Sequence, residues 1–166
     1  MSSMARKSNE SGVVEAVDHG REPFNLEEWP FYWITQTYGV YLSRLEDALR
    51  KVELDIPTWR VLMLLEGDRA RSTTYLATEA ITKLSTMTRI IQRMQADGLV
   101  LTRPRATDGR VTEALLTGHG RRARVLAWQT AQEVYKLAFK DILPEQVAAI
   151  NDGLSVVHRN LLENDK

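Results

Sequence analysis

Apolar residues recur every three or four positions along most of this chain, which is the spacing of helices that bury one face. The pattern predicts six helices, over residues 25–52, 56–66, 73–80, 84–97, 117–143 and 144–162. Two short runs rich in Val, Leu and Thr, residues 99–103 and 111–116, predict a pair of strands. The predicted order is α-α-α-α-β-β-α-α, a mainly α fold with a small β-hairpin wing.

Glycine and proline mark the predicted ends of these elements. Gly98 is expected to end the fourth helix in a left-handed conformation, and Pro144 is expected to break the fifth. Pro104 and the pair Asp108 and Gly109 predict a turn between the strands, with Gly109 supplying a tight backbone conformation.

The predicted elements fall into parts with different roles. Residues 55–116 have the helix and strand order of a winged helix-turn-helix, and the helices at 25–52 and 117–162 are too long and too apolar to stand alone. We therefore expect residues 24–166 to form one domain. Residues 1–23 are polar and lack periodicity, which predicts a flexible N-terminal extension.

The fourth predicted helix has one apolar and one polar side. Its apolar stripe of Leu84, Met87, Ile90, Ile91 and Met94 is predicted to face the core. The opposite side carries short hydroxyl side chains followed by longer hydrogen-bond donors, which suits a helix lying in the major groove of DNA. The residues predicted to contact DNA from this helix are Ser85, Thr86, Thr88, Arg89, Gln92 and Arg93.

Other roles are open for several of these residues. Ser85 and Thr86 could instead cap the helix, and Thr88 could donate a hydrogen bond back within it. One of the two arginines, Arg89 or Arg93, could be a solvated surface residue.

The predicted hairpin supplies a second basic element, with Arg103, Arg105 and Arg110 in or beside its strands. A carboxylate cannot itself favour contact with phosphate. Asp108 is therefore predicted to hold the Arg110 guanidinium by a charge-assisted hydrogen bond and to present it to a narrow minor groove. The hairpin residues predicted to bind DNA are Arg105, Asp108 and Arg110.

The charge distribution supports a polyanionic partner although the net charge is zero. Residues 68–124 contain 11 basic and 5 acidic side chains, so this stretch carries +6 and the remainder −6. Such segregation creates a positive field on one part of a neutral molecule and steers a polyanion towards it. The alternative explanation is an ordinary solvated charged face.

The stretch STMTRIIQRMQADGLVLTRPRATDGR, followed by LLTGHG, resembles the MarR family of bacterial regulators. The resemblance covers about residues 26–162 and includes the recognition helix, the GLV strand, the Asp-x-Arg wing tip and the LT-x-x-G start of the fifth helix. It implies a homodimer, formed through the helices at 25–52 and 117–162, that reads a pseudo-palindromic operator in double-stranded DNA. It also implies a transcriptional regulator, more often a repressor. It also implies that Ser85, Thr86, Thr88 and Arg89 face bases or phosphates, and that Arg110 enters the minor groove. Gly109 departs from the family, which often has Arg or Lys there.

The resemblance further implies release of DNA by a small molecule, often an anionic aromatic compound. Aromatic residues crowd the first helix, and Arg60 follows Trp59 in an otherwise apolar run, which suits an aromatic carboxylate. The residues predicted to bind this effector are Trp29, Tyr32, Trp33, Trp59, Arg60, Met63 and Trp128.

Two questions about the effector site stay open at this stage. The ligand could be a free acid or its acyl thioester, with Arg121, Arg122 and Arg124 available to hold phosphates. Alternatively, the aromatic residues belong to a dimer core and Arg60 forms a salt bridge with an acid such as Glu46 or Asp55.

Several function classes lack their sequence signals. The absence of cysteine excludes disulfides, cysteine-ligated zinc and thiol redox sensing, and three histidines in separate elements make a metal site unexpected. No phosphate loop, nucleophile elbow or HExxH helix predicts an enzyme, and no cofactor is expected. The sequence has no signal peptide and no membrane span, so a cytoplasmic protein without membrane contact is expected. The competing function is a winged helix that binds another protein instead of DNA.

Overall fold

A computed structural model describes residues 25–163, so the predicted N-terminal extension lies outside the described residues. The chain divides into two compact units, Met1–Gln36 and Thr37–Lys166, and the division falls within the first long helix. A 3-10 helix, Leu26–Glu28, precedes six α-helices and three strands. The helices are α1 (Pro30–Arg50), α2 (Ile56–Leu64), α3 (Thr73–Glu79), α4 (Leu84–Ala96), α5 (Gly118–Ala138) and α6 (Pro144–Glu163), and the strands are β1 (Arg71–Ser72), β2 (Val100–Arg105) and β3 (Asp108–Leu116).

The mainly helical fold with a β-hairpin wing is confirmed, with one additional strand. The three strands form an antiparallel sheet in the order β1-β3-β2, in which Arg71 lies opposite Ala114 and Ser72 opposite Glu113. A strand of two residues has no periodicity to detect, so its pairing depends on a partner far along the chain. Ser72 also caps α3, because its hydroxyl accepts a hydrogen bond from the Tyr75 backbone N–H at 3.1 Å.

Asn25 and Pro30 mark the beginnings of the 3-10 helix and of α1. Asn25 caps the 3-10 helix rather than α1, and Pro30 is the first residue of α1 instead of lying inside an earlier helix. The Trp33 indole N–H donates to the carbonyl of Glu27 at 2.8 Å. This bond ties the first turns of α1 to the 3-10 segment.

The fifth helix is shorter than the sequence pattern predicts. It ends at Ala138, and Asp141 takes a left-handed conformation with φ 63° before Pro144 is reached. The prediction that Pro144 breaks this helix is therefore wrong. The prediction that Pro144 begins the last helix is confirmed, and there the Gln146 side chain accepts a hydrogen bond from the Leu143 N–H at 2.9 Å.

The tip of the wing, the β2–β3 hairpin, also differs from the prediction. Asp108 and Gly109 lie inside β3, and Ala106 and Thr107 join the strands. Gly109 does not have a positive φ, so the turn does not require a glycine there. The predicted role of Gly98 is confirmed, because it follows α4 with φ 69°.

The core joins the winged helix-turn-helix to α1 and α5. Its fully buried side chains include Leu45 and Leu49 of α1, Leu62 of α2 and Met94 of α4. Leu84 is 50% exposed, so its predicted place in the core stripe is wrong. Helix α6 contributes no buried residue. Between residues 25 and 163, no helix combines the length and apolar character that crossing a membrane requires.

Candidate nucleic-acid interface and effector cavity

Helix α4 presents a continuous polar face. Met87, Ile91 and Met94 are buried, and the six residues predicted to contact DNA from this helix are all exposed. Burial of one stripe at helical spacing forces the intervening residues outward. Within the described part of the chain, the side chains of Ser85, Thr86 and Arg89 have no hydrogen-bonding or ionic partner.

The structure decides two alternatives left open for this face. The N-cap of α4 is Lys83, and no side chain caps the helix, so Ser85 and Thr86 do not serve as caps. The Thr88 hydroxyl donates to the carbonyl of Leu84 at 2.9 Å, which is the internal hydrogen bond considered from the sequence. That hydroxyl can still accept a hydrogen bond.

A hollow of about 380 Å³, here called the interface groove, lies between α3, α4 and the wing. Three predicted DNA contacts, Thr88, Gln92 and Arg110, line it together. Gln95 lines it as well and accepts a hydrogen bond from the Thr102 hydroxyl at 3.0 Å, which ties the end of α4 to β2. Sequence reasoning missed Gln95, because its pairing with Thr102 requires the folded hairpin.

The wing arginines fall into two groups. Arg105 forms an ion pair of 2.8 Å with Glu113, and Arg103 approaches the same carboxylate at 3.7 Å. Because the Glu113 side chain is only 14% exposed, it holds both cations against the sheet. Arg110 is exposed, and its guanidinium has no partner among the described residues.

The predicted contact between Asp108 and the Arg110 guanidinium is wrong. The Asp108 carboxylate instead accepts a hydrogen bond from the backbone N–H of Arg110 at 3.1 Å. This is a local turn of the type that Asp commonly forms with the residue two positions on. It fixes the backbone at the wing tip and leaves the Arg110 side chain free.

A second cavity, here called the effector cavity, has a volume of about 540 Å³ within the Thr37–Lys166 unit. Its walls come from the later part of α1, from α2, and from the end of α3 with the following turn. Three predicted effector residues, Trp59, Arg60 and Met63, belong to its lining. The remaining lining residues are Tyr38, Tyr41, Leu42, Leu64, Glu79, Ala80 and Ile81.

Arg60 supplies the cation of the effector cavity. Its Nη2 donates to the Tyr38 hydroxyl at 2.6 Å. Burial and the neighbouring Tyr38 raise the pKa of the Tyr41 hydroxyl, while the positive charge of Arg60 opposes that rise. The proposed salt bridge from Arg60 to Glu46 or Asp55 is wrong, because these acids pair with Arg50 and Arg93 instead.

The other predicted effector residues are one residue of α5 and three residues before Gln36. Trp128 is 52% exposed on α5 and does not line the effector cavity. Trp29, Tyr32 and Trp33 belong to the unit that ends at Gln36. Tyr38 and Tyr41 were not included in the predicted site, although their spacing of three residues indicated a shared helix face.

The three arginines considered as ligands for the phosphates of a thioester have different surroundings. Arg121 pairs with Asp68 at 3.1 Å, and Arg124 donates to the carbonyl of Leu62 at 3.1 Å. Arg122 lines a separate hollow with His119. In residues 25–163, no cluster of His, Asp and Glu has three or more members able to hold a metal ion.

The short helix α3 is followed by α4, which exposes a polar face, and then by the basic β2–β3 hairpin. This arrangement defines a winged helix-turn-helix protein in which α4 is the recognition helix. The chain is 39% identical over 144 residues to the HTH-type transcriptional repressor IacR of Pseudomonas putida, covering 87% of this chain and 86% of IacR. No family model matches the chain. With this relative and the solved structures below, the chain belongs to the MarR family of winged-helix transcriptional regulators.

Solved structures share the fold at lower sequence identity. CouR from Rhodococcus jostii RHA1, bound to p-coumaroyl-CoA, has a TM-score of 0.73 at 20% identity, covering 80% of this chain and 94% of CouR. Bordetella bronchiseptica BpsR, whose DNA binding is regulated by 6-hydroxynicotinic acid, has a TM-score of 0.73 at 19% identity, covering 82% of this chain and 98% of BpsR. Apo MarR of E. coli has a TM-score of 0.67 at 19% identity, covering 78% of this chain and 96% of MarR.

Proposed function

We propose that this regulator is a repressor that binds a pseudo-palindromic DNA operator as a homodimer and is released by a small aromatic carboxylate or its acyl thioester. The observation that carries the proposal is the interface groove, in which the recognition helix and the wing converge beside Arg110, whose guanidinium has no partner in residues 25–163. The proposed DNA contacts are Ser85, Thr86, Thr88, Arg89, Gln92 and Arg110, with Arg105 and Asp108 supporting the wing.

Side-chain length and charge determine which part of the DNA each residue is proposed to contact. Ser85 and Thr86 are short residues in the first turn of α4, so they allow close approach to base edges. Arg89 offers a two-pronged guanidinium for guanine or phosphate. Arg110 extends from the wing, where the minor groove and its backbone would lie. Two such units reach successive major grooves when their recognition helices are roughly 34 Å apart.

Helix α6 supports a dimer. None of its 20 residues is fully buried, although most helical stability in proteins comes from tertiary packing of an apolar face. Its apolar residues form one stripe at alternating spacings of three and four residues, which is the pattern of a helix packed against another helix. The stripe consists of Val147, Ile150, Leu154, Val157 and Leu161.

We predict that Leu154→Glu converts the dimer to a monomer at micromolar concentrations, as measured by sedimentation velocity. A twofold interface would bury the new carboxylate twice without a partner, at a cost of several kcal/mol. Ala148→Glu adds the same charge on the opposite side of α6 and should leave the dimer intact. A Leu154→Glu variant that sediments as the wild type would contradict the proposed interface.

The effector cavity supports an aromatic anion. It combines the rings of Tyr38, Tyr41 and Trp59 with the single lining cation Arg60, and its volume of about 540 Å³ suits a small molecule. BpsR and CouR respond to or bind aromatic acids or thioesters in a similar fold. A ligand that favours a dimer with wrongly spaced recognition helices would lower operator affinity by shifting populations.

The proposal is tested by fluorescence anisotropy on DNA from the region upstream of the protein's own gene. We expect salt-sensitive binding that 4-hydroxybenzoate, 4-hydroxycinnamate or the coenzyme A thioester of the latter weakens tenfold or more. Arg60→Met should keep the DNA affinity but lose this response, because the anion loses its partner. Arg44→Met, which removes an exposed arginine outside the cavity lining, should respond as the wild type does.

Each part of the proposal can fail separately. Tight DNA binding that no compound alters would reject the aromatic effector and keep the repressor. A response retained in Arg60→Met would reject the anion site. Absence of specific binding, both to upstream DNA and to random duplexes offered for selection, would reject DNA reading and favour the protein-interaction module.

A further inference from the structure

Arg93 differs from Arg89, the other arginine on the polar face of α4, because its guanidinium is already occupied. Its Nη2 lies 2.7 Å from Asp55 Oδ2 and 3.0 Å from Asp55 Oδ1. The same nitrogen lies 3.0 Å from the Thr58 hydroxyl. These contacts join α4 to the beginning of α2 across 35 to 38 positions of sequence. An arginine held in this way is not free to follow a DNA backbone.

Asp55, which accepts the hydrogen bonds of Arg93, is held in place by a further contact. Asp55 is the N-cap of α2, and its Oδ1 accepts a hydrogen bond from the Thr58 N–H at 2.8 Å. Burial alone would raise the pKa of Asp55, but hydrogen bonds from Thr58 and the charge and hydrogen bond of Arg93 hold that pKa below its ordinary value. Asp55 is therefore ionised at neutral pH and remains paired with Arg93.

The contribution of this ion pair to folding stability is small. Its side chains are 49% and 45% exposed, and exposed ion pairs contribute little to stability. Its role is instead geometric, because Nη2 of Arg93 meets both carboxylate oxygens of Asp55 and the Thr58 hydroxyl. The contact therefore sets where α4 meets the first turn of α2.

Two of the attachments of the recognition helix lie next in sequence to residues that line the effector cavity. Arg93 binds the first turn of α2, and the next residues of that helix, Trp59 and Arg60, line the cavity. Ala80 and Ile81 also line it, and α4 begins three residues after Ile81. Displacement of either pair of lining residues would act on an attachment of α4.

We propose that Arg93 is a positioning residue: with Asp55 and Thr58 it latches the recognition helix to α2 at the angle that operator binding requires, and it does not contact DNA. This inference rests on the proposed function as a DNA-reading dimer. It reassigns Arg93, which the sequence pattern had grouped with the DNA contacts.

The experiment uses Asp55→Asn, because the latch and simple electrostatics predict opposite effects on DNA affinity. Removal of a negative charge from a DNA-binding protein strengthens binding if charge alone matters. Asparagine is also a good N-cap, so α2 is preserved. The latch instead predicts about tenfold weaker binding to a duplex selected by the wild type from a random pool, with unchanged binding to unselected duplex.

Two further variants complete the test. Arg93→Gln should weaken selected-duplex binding to the same extent, and the double variant should bind no more weakly than either single one, because each breaks the same contact. Asp47→Asn removes an equal charge from an exposed pair with Arg50 and should bind as tightly as the wild type or slightly tighter. Affinities are referred to the folded dimer, quantified by circular dichroism and stoichiometric titration.

The outcomes separate the latch from the function on which it rests. The latch is overturned if Asp55→Asn binds as tightly as the wild type or more tightly. It is also overturned if Arg93→Gln weakens selected and unselected duplex alike and lowers the salt-dependence slope by about one, which identifies a phosphate contact. If the wild type enriches no sequence, the proposed function fails, and the latch fails with it.

Discussion

Gly120→Ala is expected to destabilise the folded protein by about 3 kcal/mol or more. A Cβ on Gly120 would lie far inside van der Waals contact with the carbonyl oxygen of Leu99, and 3.1 Å from a methyl group of Leu116. The obstruction is backbone that also accepts a hydrogen bond from the Thr117 N–H at 3.0 Å, so it cannot move without breaking that bond. Overpacking of this kind against fixed atoms costs more than a flexible contact does.

The measurement is chemical denaturation followed by circular dichroism, with Gly118→Ala as the matched control. Gly118 is two residues earlier in α5, and a Cβ there would meet only an Arg122 side-chain nitrogen at 3.9 Å. We expect Gly118→Ala to be neutral or to stabilise the protein by up to ~1 kcal/mol, because alanine restricts the unfolded chain. Equal stability of the two variants would show that the start of α5 can shift away from β2.

Arg110→Ala is expected to weaken operator binding tenfold or more while the dimer stays folded. Its guanidinium has no partner in the described residues, so its removal breaks no contact within the protein. The wing tip also survives, because Asp108 accepts its hydrogen bond from the backbone N–H of Arg110. A tenfold loss corresponds to about 1.4 kcal/mol, within the range for one arginine contact to DNA.

Arg103→Ala is the control, because it removes the same charge from the same hairpin at a residue that already faces Glu113. Fluorescence anisotropy over a range of salt concentrations should find a smaller loss for Arg103→Ala than for Arg110→Ala. Unchanged operator affinity of Arg110→Ala would reject the wing contact. Equal losses for both variants would mean that the wing contributes only general positive charge.

The polar face of α4 was predicted from the residue pattern of a single helix. The structure buries the apolar side of that helix and exposes the polar side. The buried spacing of Met87, Ile91 and Met94 is a property of one helix, so the opposite face could be identified from sequence. The effector cavity was only partly predictable. Trp59 and Arg60 are adjacent in sequence, but the hydrogen bond between Arg60 and Tyr38 joins residues 22 positions apart.

Two of the errors concern the bounds of elements. The turn at Asp108 and Gly109 was inferred from residue preference, whereas strand pairing carried β3 through both residues. The end of α5 was assigned to Pro144, whereas Asp141 adopted a left-handed conformation that no composition rule requires of it. At the wing tip a weak local preference yielded to strand pairing, and at the end of α5 the backbone turned before the proline was reached.

The sequence by itself determined the order of helices, the basic recognition face and the resemblance to the MarR family, because these follow from periodicity and motif along one segment. Only the tertiary structure decided which arginines are available. It paired Arg93 with Asp55 and Arg105 with Glu113, and gave the Arg110 side chain no partner within the described part of the chain. Ion pairs depend on distances between side chains that the fold brings together, and the spacing of residues along a chain does not specify those distances.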